Sequence, residues 1–252
     1  MTGQRFKALN ERAVDAVVLI VVVVASWQGL HRYAGDAAIA SPLDTLRRAS
    51  ALVRTADFWG HAQATGTAFV AALVIAIVAG VALGLVFGKE RFAGDVAEPI
   101  LVSLYTIPKV TLYPVILLIF GLGLSAKVAF GVIHGVIPVI LFTLGAVKNI
   151  APVLVRTSRV MRLTAWQTTA TVLAPAVLPE LMSGVRVGFS LTMLGVLIGE
   201  MFASQRGLGF LIVNGMSLHD VPLTTSVILI VVIFAIAANG VLLALDSGMR
   251  RK

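Results

Sequence analysis

Long apolar runs separated by short polar breaks dominate the chain, and they set its architecture before any single residue is considered. A membrane-spanning helix needs about 20 mostly apolar residues. Six stretches meet that need, 13–30, 64–88, 97–121, 125–147, 183–203 and 223–245, and the remainder reads as loops. The pattern predicts an all-α integral membrane protein with about six transmembrane helices, organised as one transmembrane domain over 1–252. One polar interval stands out. Residues 148–182 carry Arg156, Arg159 and Arg162 and then Pro175 and Pro179, between two spans. From Val155 to Val172 this interval can form short helices, with Val160, Leu163 and Trp166 as an apolar set and Arg156, Arg159, Arg162 and Gln167 as a basic-polar set. Apolar anchors spaced by three beside charge suit a helix lying in a groove on a partner protein. They also suit, as the lesser reading, a helix resting on the lipid surface.

The spans differ in their internal pattern. Ala68, Ala72, Ala76, Gly80, Gly84 and Gly88 recur every fourth residue in the second span, a stripe of small side chains that lets another helix approach closely, in the same chain or in a second copy. Gly131/Gly135 and Gly184/Gly188 repeat it on a smaller scale. In the third span, Pro108 and Pro114 flank Lys109, and each proline removes a helix hydrogen-bond donor. Irregular backbone at membrane depth is tolerated where it is buried in protein or lines a wet cavity, which makes Pro108, Lys109 and Pro114 candidates for a translocation pathway. A kink with Lys109 snorkelling to the interface is the plainer reading.

Glu200, near the end of the fifth span, is costly there unless it faces protein or water, so it reads as a pathway gate, a helix-contact residue or a structural carboxylate. Arg186 lies 14 positions earlier, roughly 21 Å away by helical rise, too far to pair with it. His134 in the fourth span reads as a hydrogen-bonded packing residue rather than a proton carrier.

Composition agrees with the pattern: 58% of residues are hydrophobic, 13% are charged and the mean hydropathy is +0.98. The formal net charge of +8 is better explained by cytoplasmic loops and anionic headgroups than by nucleic acid, since no basic run stands beside stacking aromatics. With the N-terminus inside, Arg5, Lys7, Arg12, Lys89, Arg91, Lys148, Arg156, Arg159, Arg162, Arg250, Arg251 and Lys252 are cytoplasmic. Arg32, Arg47, Arg48, Arg54, Lys127 and Arg206 are then outside, a split of twelve against six that predicts both termini in the cytoplasm. The triplet Ala38-Ile39-Ala40 lies some ten residues past the first apolar run, too far for ordinary signal-peptide cleavage.

The chemistry of catalysis is missing. With no cysteine and four scattered histidines, there is no support for disulfides, thiolate chemistry or a metal site. In "GLVFGKE", Gly84 and Gly88-Lys89 stand one residue too close for a phosphate-binding loop, and Glu90 occupies the Ser/Thr position. No catalytic residue is assigned to this chain.

The segment "TAWQTTATVLAPAVLPELMSGVRVGFSLTMLGVLIGEMFASQRGLGFLI" resembles the loop and following span of inner-membrane permeases of binding-protein-dependent ABC importers, most of all the nitrate/sulfonate/taurine group. "TIPKVTLYPVILLIFGLG" resembles that group's third span. The resemblance implies the type I ABC importer permease fold, with a cytoplasmic coupling helix in 148–182 that docks on an ATPase subunit. In the family that helix opens with an E-A-A motif followed by a glycine. Counting back from Pro175 puts Arg156, Thr157 and Ser158 at the E-A-A positions and Arg162 at the glycine, so only the small Thr157 and Ser158 approximate the pattern. The resemblance further implies a bacterial inner-membrane location, a second permease copy, two ATPase subunits and an extracytoplasmic binding protein delivering a small, anionic solute such as nitrate, a sulfonate or taurine. ATP and magnesium would sit on the ATPases and no cofactor on this chain. The competing class is a secondary transporter or channel with Lys109, His134 and Glu200 as an ion relay.

Overall fold

A computed structural model describes residues 2–249, with side chains from 14 onward except at 165, 203, 245 and 247–249. Of the basic residues that orient the spans, the side chains of Arg5, Lys7 and Arg12, and the whole of Arg250, Arg251 and Lys252, lie outside the described residues. The elements follow in order as α1 (Thr2–Ala34), α2 (Pro42–Leu52), α3 (Ala56–Lys89), α4 (Arg91–Thr106), a 3-10 turn (Lys109–Leu112), α5 (Tyr113–Phe120) and α6 (Leu124–Lys148). Then come α7 (Pro152–Val160), α8 (Ala165–Gln167), a π-helical turn (Thr168–Leu173), α9 (Ala174–Ala203), α10 (Leu208–Ser217) and α11 (Val221–Met249). Among the described residues five helices are long and apolar enough to cross a membrane, and α4 with α5, bent by 85°, passes the same test as a pair.

Two stretches read as loops are helical. Residues 42–52 form α2, started by Ser41, whose hydroxyl accepts the Asp44 amide at 3.1 Å, and by Pro42 in the first turn. Residues 208–217 form α10. Neither is long enough to span, so hydropathy alone passes over them. The fifth apolar stretch also begins far earlier than 183, at Thr168. Pro175 stands in the first turn of α9, where its missing donor costs nothing, and Pro179 is carried inside the helix.

The third span breaks where its prolines require. Ile107, the residue before Pro108, is extended at φ −61°, ψ 132°, which ends α4. Pro114 does not kink a helix interior; it sits in the first turn of α5.

Within the single permease domain expected over 1–252, the chain forms two compact units, Met1–Trp59 with Leu211–Val231, and Gly60–Phe210 with Val232–Lys252. In the first, Ser226 donates to the Thr45 carbonyl at 3.0 Å, Arg48 faces Asp220 at 3.8 Å, and Trp27 donates to the Ala40 carbonyl at 3.1 Å. The second unit is organised by α3, α6 and α9. Lipid is as apolar as leucine, so helix association in a membrane relies on close packing. The small-residue stripe of α3 is spent on this chain's own α6: a Cβ at Gly80 would stand 2.6 Å from Val139 Cβ, and one at Gly88 2.8 Å from Val147 Cβ. Gly131 meets Ala72 and Val196, and Gly184 and Gly188 meet Phe142 and Val139, which joins α6 to α9.

Gly84→Ala should therefore destabilise the protein by about 1–3 kcal/mol through overpacking, because the new methyl would lie 2.5 Å from Thr143 Cβ and 2.9 Å from the Ile140 carbonyl. Gly66→Ala, on the same helix with no neighbouring atom within 4 Å, should be neutral. Unfolding of the detergent-solubilised protein checks both.

Candidate functional site

The polar interval between α6 and α9 is a helix, a turn and a second helix start. Ser158 is buried and Leu154 and Val155 half-buried, so one face of α7 rests on the chain. Arg156, Thr157, Arg159 and Val160 are exposed on the other. The helix ends in a Schellman turn: the Leu163 amide donates to the Ser158 carbonyl at 3.0 Å and the Arg162 amide to the Arg159 carbonyl at 3.0 Å, with Arg162 left-handed at φ +52°. Left-handed backbone favours glycine and costs other residues roughly 1–2 kcal/mol. Arg162 is the position that counting from Pro175 aligned with the family's glycine. Leu163 folds back, half-buried, and parts from the apolar set, while Val160, Met161 and Trp166 are 83%, 64% and 78% exposed. Gln167 has local work. Its side-chain oxygen accepts the Thr164 amide at 2.9 Å, and the Thr164 hydroxyl accepts the Gln167 amide at 3.3 Å, a capping box that starts α8.

If Arg162 acts through its backbone, Arg162→Gly should keep partner binding intact, while Arg162→Val, β-branched at positive φ, should weaken it several-fold. Copurification with the partner separates this from loss of a charge, which both variants share.

The pathway candidates are held by separate local contacts. Lys109 Nζ donates to the Tyr105 carbonyl at 2.9 Å and lies 5.0 Å above the Tyr105 ring, so it satisfies the last turn of α4. Pro108 and Pro114 are exposed. Between them Tyr113, which hydropathy does not single out, is buried and donates to the Gly199 carbonyl at 2.6 Å, bringing the start of α5 beside Glu200. His134 donates through Nδ1 to the Phe130 carbonyl of its own helix at 2.9 Å.

Glu200 is fully buried at the centre of a polar cluster. Its Oε2 accepts the Thr65 hydroxyl at 2.8 Å and the Gly209 amide at 3.0 Å, and Oε1 faces Lys127 Nζ at 3.5 Å without hydrogen-bond geometry. Lys127 Nζ also donates to the Arg206 carbonyl at 2.7 Å. Three successive amides at the start of α10 are taken by side chains: Gly207 by His61 Nδ1 at 3.1 Å, Leu208 by the Thr65 hydroxyl at 2.8 Å, and Gly209 by Glu200. A carboxylate at a helix N-terminus is favoured by the unsatisfied amides and the helix dipole. Gly207, at φ +131°, lies so close that a Cβ there would strike the Glu200 carboxyl. The sequence hides Lys127 and Thr65 as partners; the available signal was a lone lysine opening one apolar span and a lone glutamate closing another.

A family model described as "Binding-protein-dependent transport system inner membrane component" matches residues 72–251. The chain belongs to this family. That match takes in α6, the polar interval, α9 and the start of the α10 turn together. The riboflavin transport system permease protein RibX of Chloroflexus aurantiacus is 28% identical over 84% of this chain and 80% of its own length. The nitrate import permease protein NrtB of Synechocystis is 26% identical over 81% and 77%, and the taurine transport system permease protein TauC of Escherichia coli 27% over 62% and 57%. The protein is thus an ABC importer permease of the nitrate/sulfonate/taurine group, a multi-pass membrane protein whose family is a transport component and not itself catalytic.

Proposed function

We propose that the permease is the membrane-spanning half of an ATP-driven importer, working with a second permease copy, two ATPase subunits and an extracytoplasmic protein that delivers a small, anionic solute. The observation that carries this reading is the α7–α8 segment. It exposes Val160, Met161 and Trp166 beside Arg156 and Arg159 on a doubly capped turn, a surface suited to a cleft on another protein. In this reading both termini and the α7–α8 segment are cytoplasmic, in accord with the twelve-to-six division of basic residues. ATP and magnesium bind the ATPases; their closure draws the α7–α8 segments together and opens the permease outward, and hydrolysis resets it. Nitrate and taurine, in the names of two relatives, support a solute that carries an oxyanion group.

An ion relay through Lys109, His134 and Glu200 has less support, because each has its own local partner: the Tyr105 carbonyl, the Phe130 carbonyl and the Thr65–Lys127 cluster. Reconstituted vesicles decide between the readings. ATP-dependent uptake insensitive to uncouplers, with the tagged permease retaining an ATPase through purification, is the expected result. Uptake by the permease alone, driven by a proton gradient, would overturn it.

A further inference from the structure

We propose that the exposed face of α2 is a seat for anionic phospholipid, with Leu43, Leu46 and Trp59 against the edge of the bilayer and Arg47 and Arg54 on the lipid phosphate. This goes beyond the importer reading above and needs only that α1 and α11 cross the membrane.

Two sets of contacts fix the depth of α2. The apolar run of α1 ends near Leu30. There Trp27 donates to the Ala40 carbonyl at 3.1 Å, and His31 donates through Nδ1 to the Ile39 carbonyl at 2.8 Å. The chain that leaves α1 is thus folded back, and Ser41, the cap of α2, stands level with the end of that run. At α11, Ser226 donates to the Thr45 carbonyl at 3.0 Å and Asp220 faces Arg48 at 3.8 Å, on either side of Val221, where that helix begins. α2 therefore lies at the boundary of two spans, not clear of the membrane.

The faces of α2 divide to match. Thr45 and Ala49 are buried, whereas Leu43 and Leu46 are 55% and 56% exposed. At about 100° per residue Arg47 and Ser50, also exposed, share the arc of the two leucines. Trp59 adds a ring that is more than half exposed, and its indole N–H is satisfied by the Val53 carbonyl at 2.9 Å. A helix with leucines on one arc and arginine beside them, at the level where spans end, lies in the plane of the headgroups, where tryptophan is also enriched.

The charges on this face select the lipid. Arg48 is matched by Asp220. Arg47 has the exposed Asp44 at 3.9 Å, and among the described residues no carboxylate pairs with Arg54. An arginine stem reaches along apolar surface to the phosphate plane, and its planar fork fits phosphate oxygens two at a time. A protein partner would need this face to stand clear of the bilayer, whereas Trp27 and Ser226 hold α2 at the boundary.

The chain has no cysteine, so Ser50→Cys places a single thiol on this arc, to be labelled with bimane in the purified permease. The labelled protein is reconstituted in vesicles of phosphatidylcholine and phosphatidylglycerol, with one or the other brominated in its acyl chains near the carbonyl end. Both brominated lipids should quench the label, with an association constant for phosphatidylglycerol roughly threefold or more above that for phosphatidylcholine. Arg47→Gln/Arg54→Gln should bring that ratio close to one and leave quenching by brominated phosphatidylcholine unchanged, and Arg47→Lys/Arg54→Lys should keep most of the preference. A label that brominated phosphatidylcholine does not quench would overturn the proposal and turn this face to solvent or to a protein partner. Equal affinity for the two lipids, a preference that survives Arg47→Gln/Arg54→Gln, or one lost as fully in the lysine pair would overturn it as well. No ATPase is present in these vesicles, so the outcome is independent of the importer reading.

Discussion

Lys127→Met should lower the unfolding stability of the permease by about 3–5 kcal/mol, the usual penalty for leaving a buried charge without its partner. Glu200 is fully buried, and Lys127 is the only cation facing it among the described residues, at 3.5 Å. Removing the ammonium strips the carboxylate of its counter-charge and takes one donor, at 2.7 Å, from the Arg206 carbonyl, which keeps the Ser204 hydroxyl. The Thr65 hydroxyl and the Gly209 amide remain, but they do not neutralise a charge. The double variant Lys127→Met/Glu200→Gln should recover much of the loss, because the glutamine oxygen still accepts from Thr65 and Gly209 while no charge is left behind. Denaturant unfolding in detergent measures both. A double variant as unstable as the single one would mean that Lys127 acts through packing and the Arg206 carbonyl rather than through the ion pair.

Trp166→Ala should weaken ATPase association by about 30-fold or more while leaving the fold and membrane insertion intact. Losing a large anchor at an interface commonly costs 2 kcal/mol or more, and 1.4 kcal/mol is a factor of ten. The side chain is 78% exposed, so its removal opens no cavity in this chain. Val160→Asp should act in the same direction, since Val160 is 83% exposed on the same segment. Arg159→Ala serves as the contrast, because an exposed ion pair is worth about 0–1 kcal/mol and its loss should stay within several-fold. Leu163 is a poor probe of docking: it is half-buried and closes the turn after α7, so its substitution disturbs the segment's own shape. Full ATPase retention in Val160→Asp/Trp166→Ala would leave the lipid surface as the better place for this helix.

The sequence by itself determined the span count and the family. Both follow from local patterns: a run of about 20 apolar residues spans because backbone polar groups in hydrocarbon must be satisfied within the helix, and motif spacing is carried by the chain itself. That Arg162 is a left-handed residue closing a Schellman turn appears only in the backbone. The tertiary structure decided what depends on partners distant in the chain. It matched Glu200 with Lys127 and Thr65 across separations of 73 and 135 residues, set the Gly209 amide on that carboxylate, and turned Lys109 to its own helix's carbonyl. It also chose between the two uses of the small-residue stripe, placing α3 against α6. A stripe or a lone charge states what a helix face requires; which helix meets that requirement is a property of packing in three dimensions.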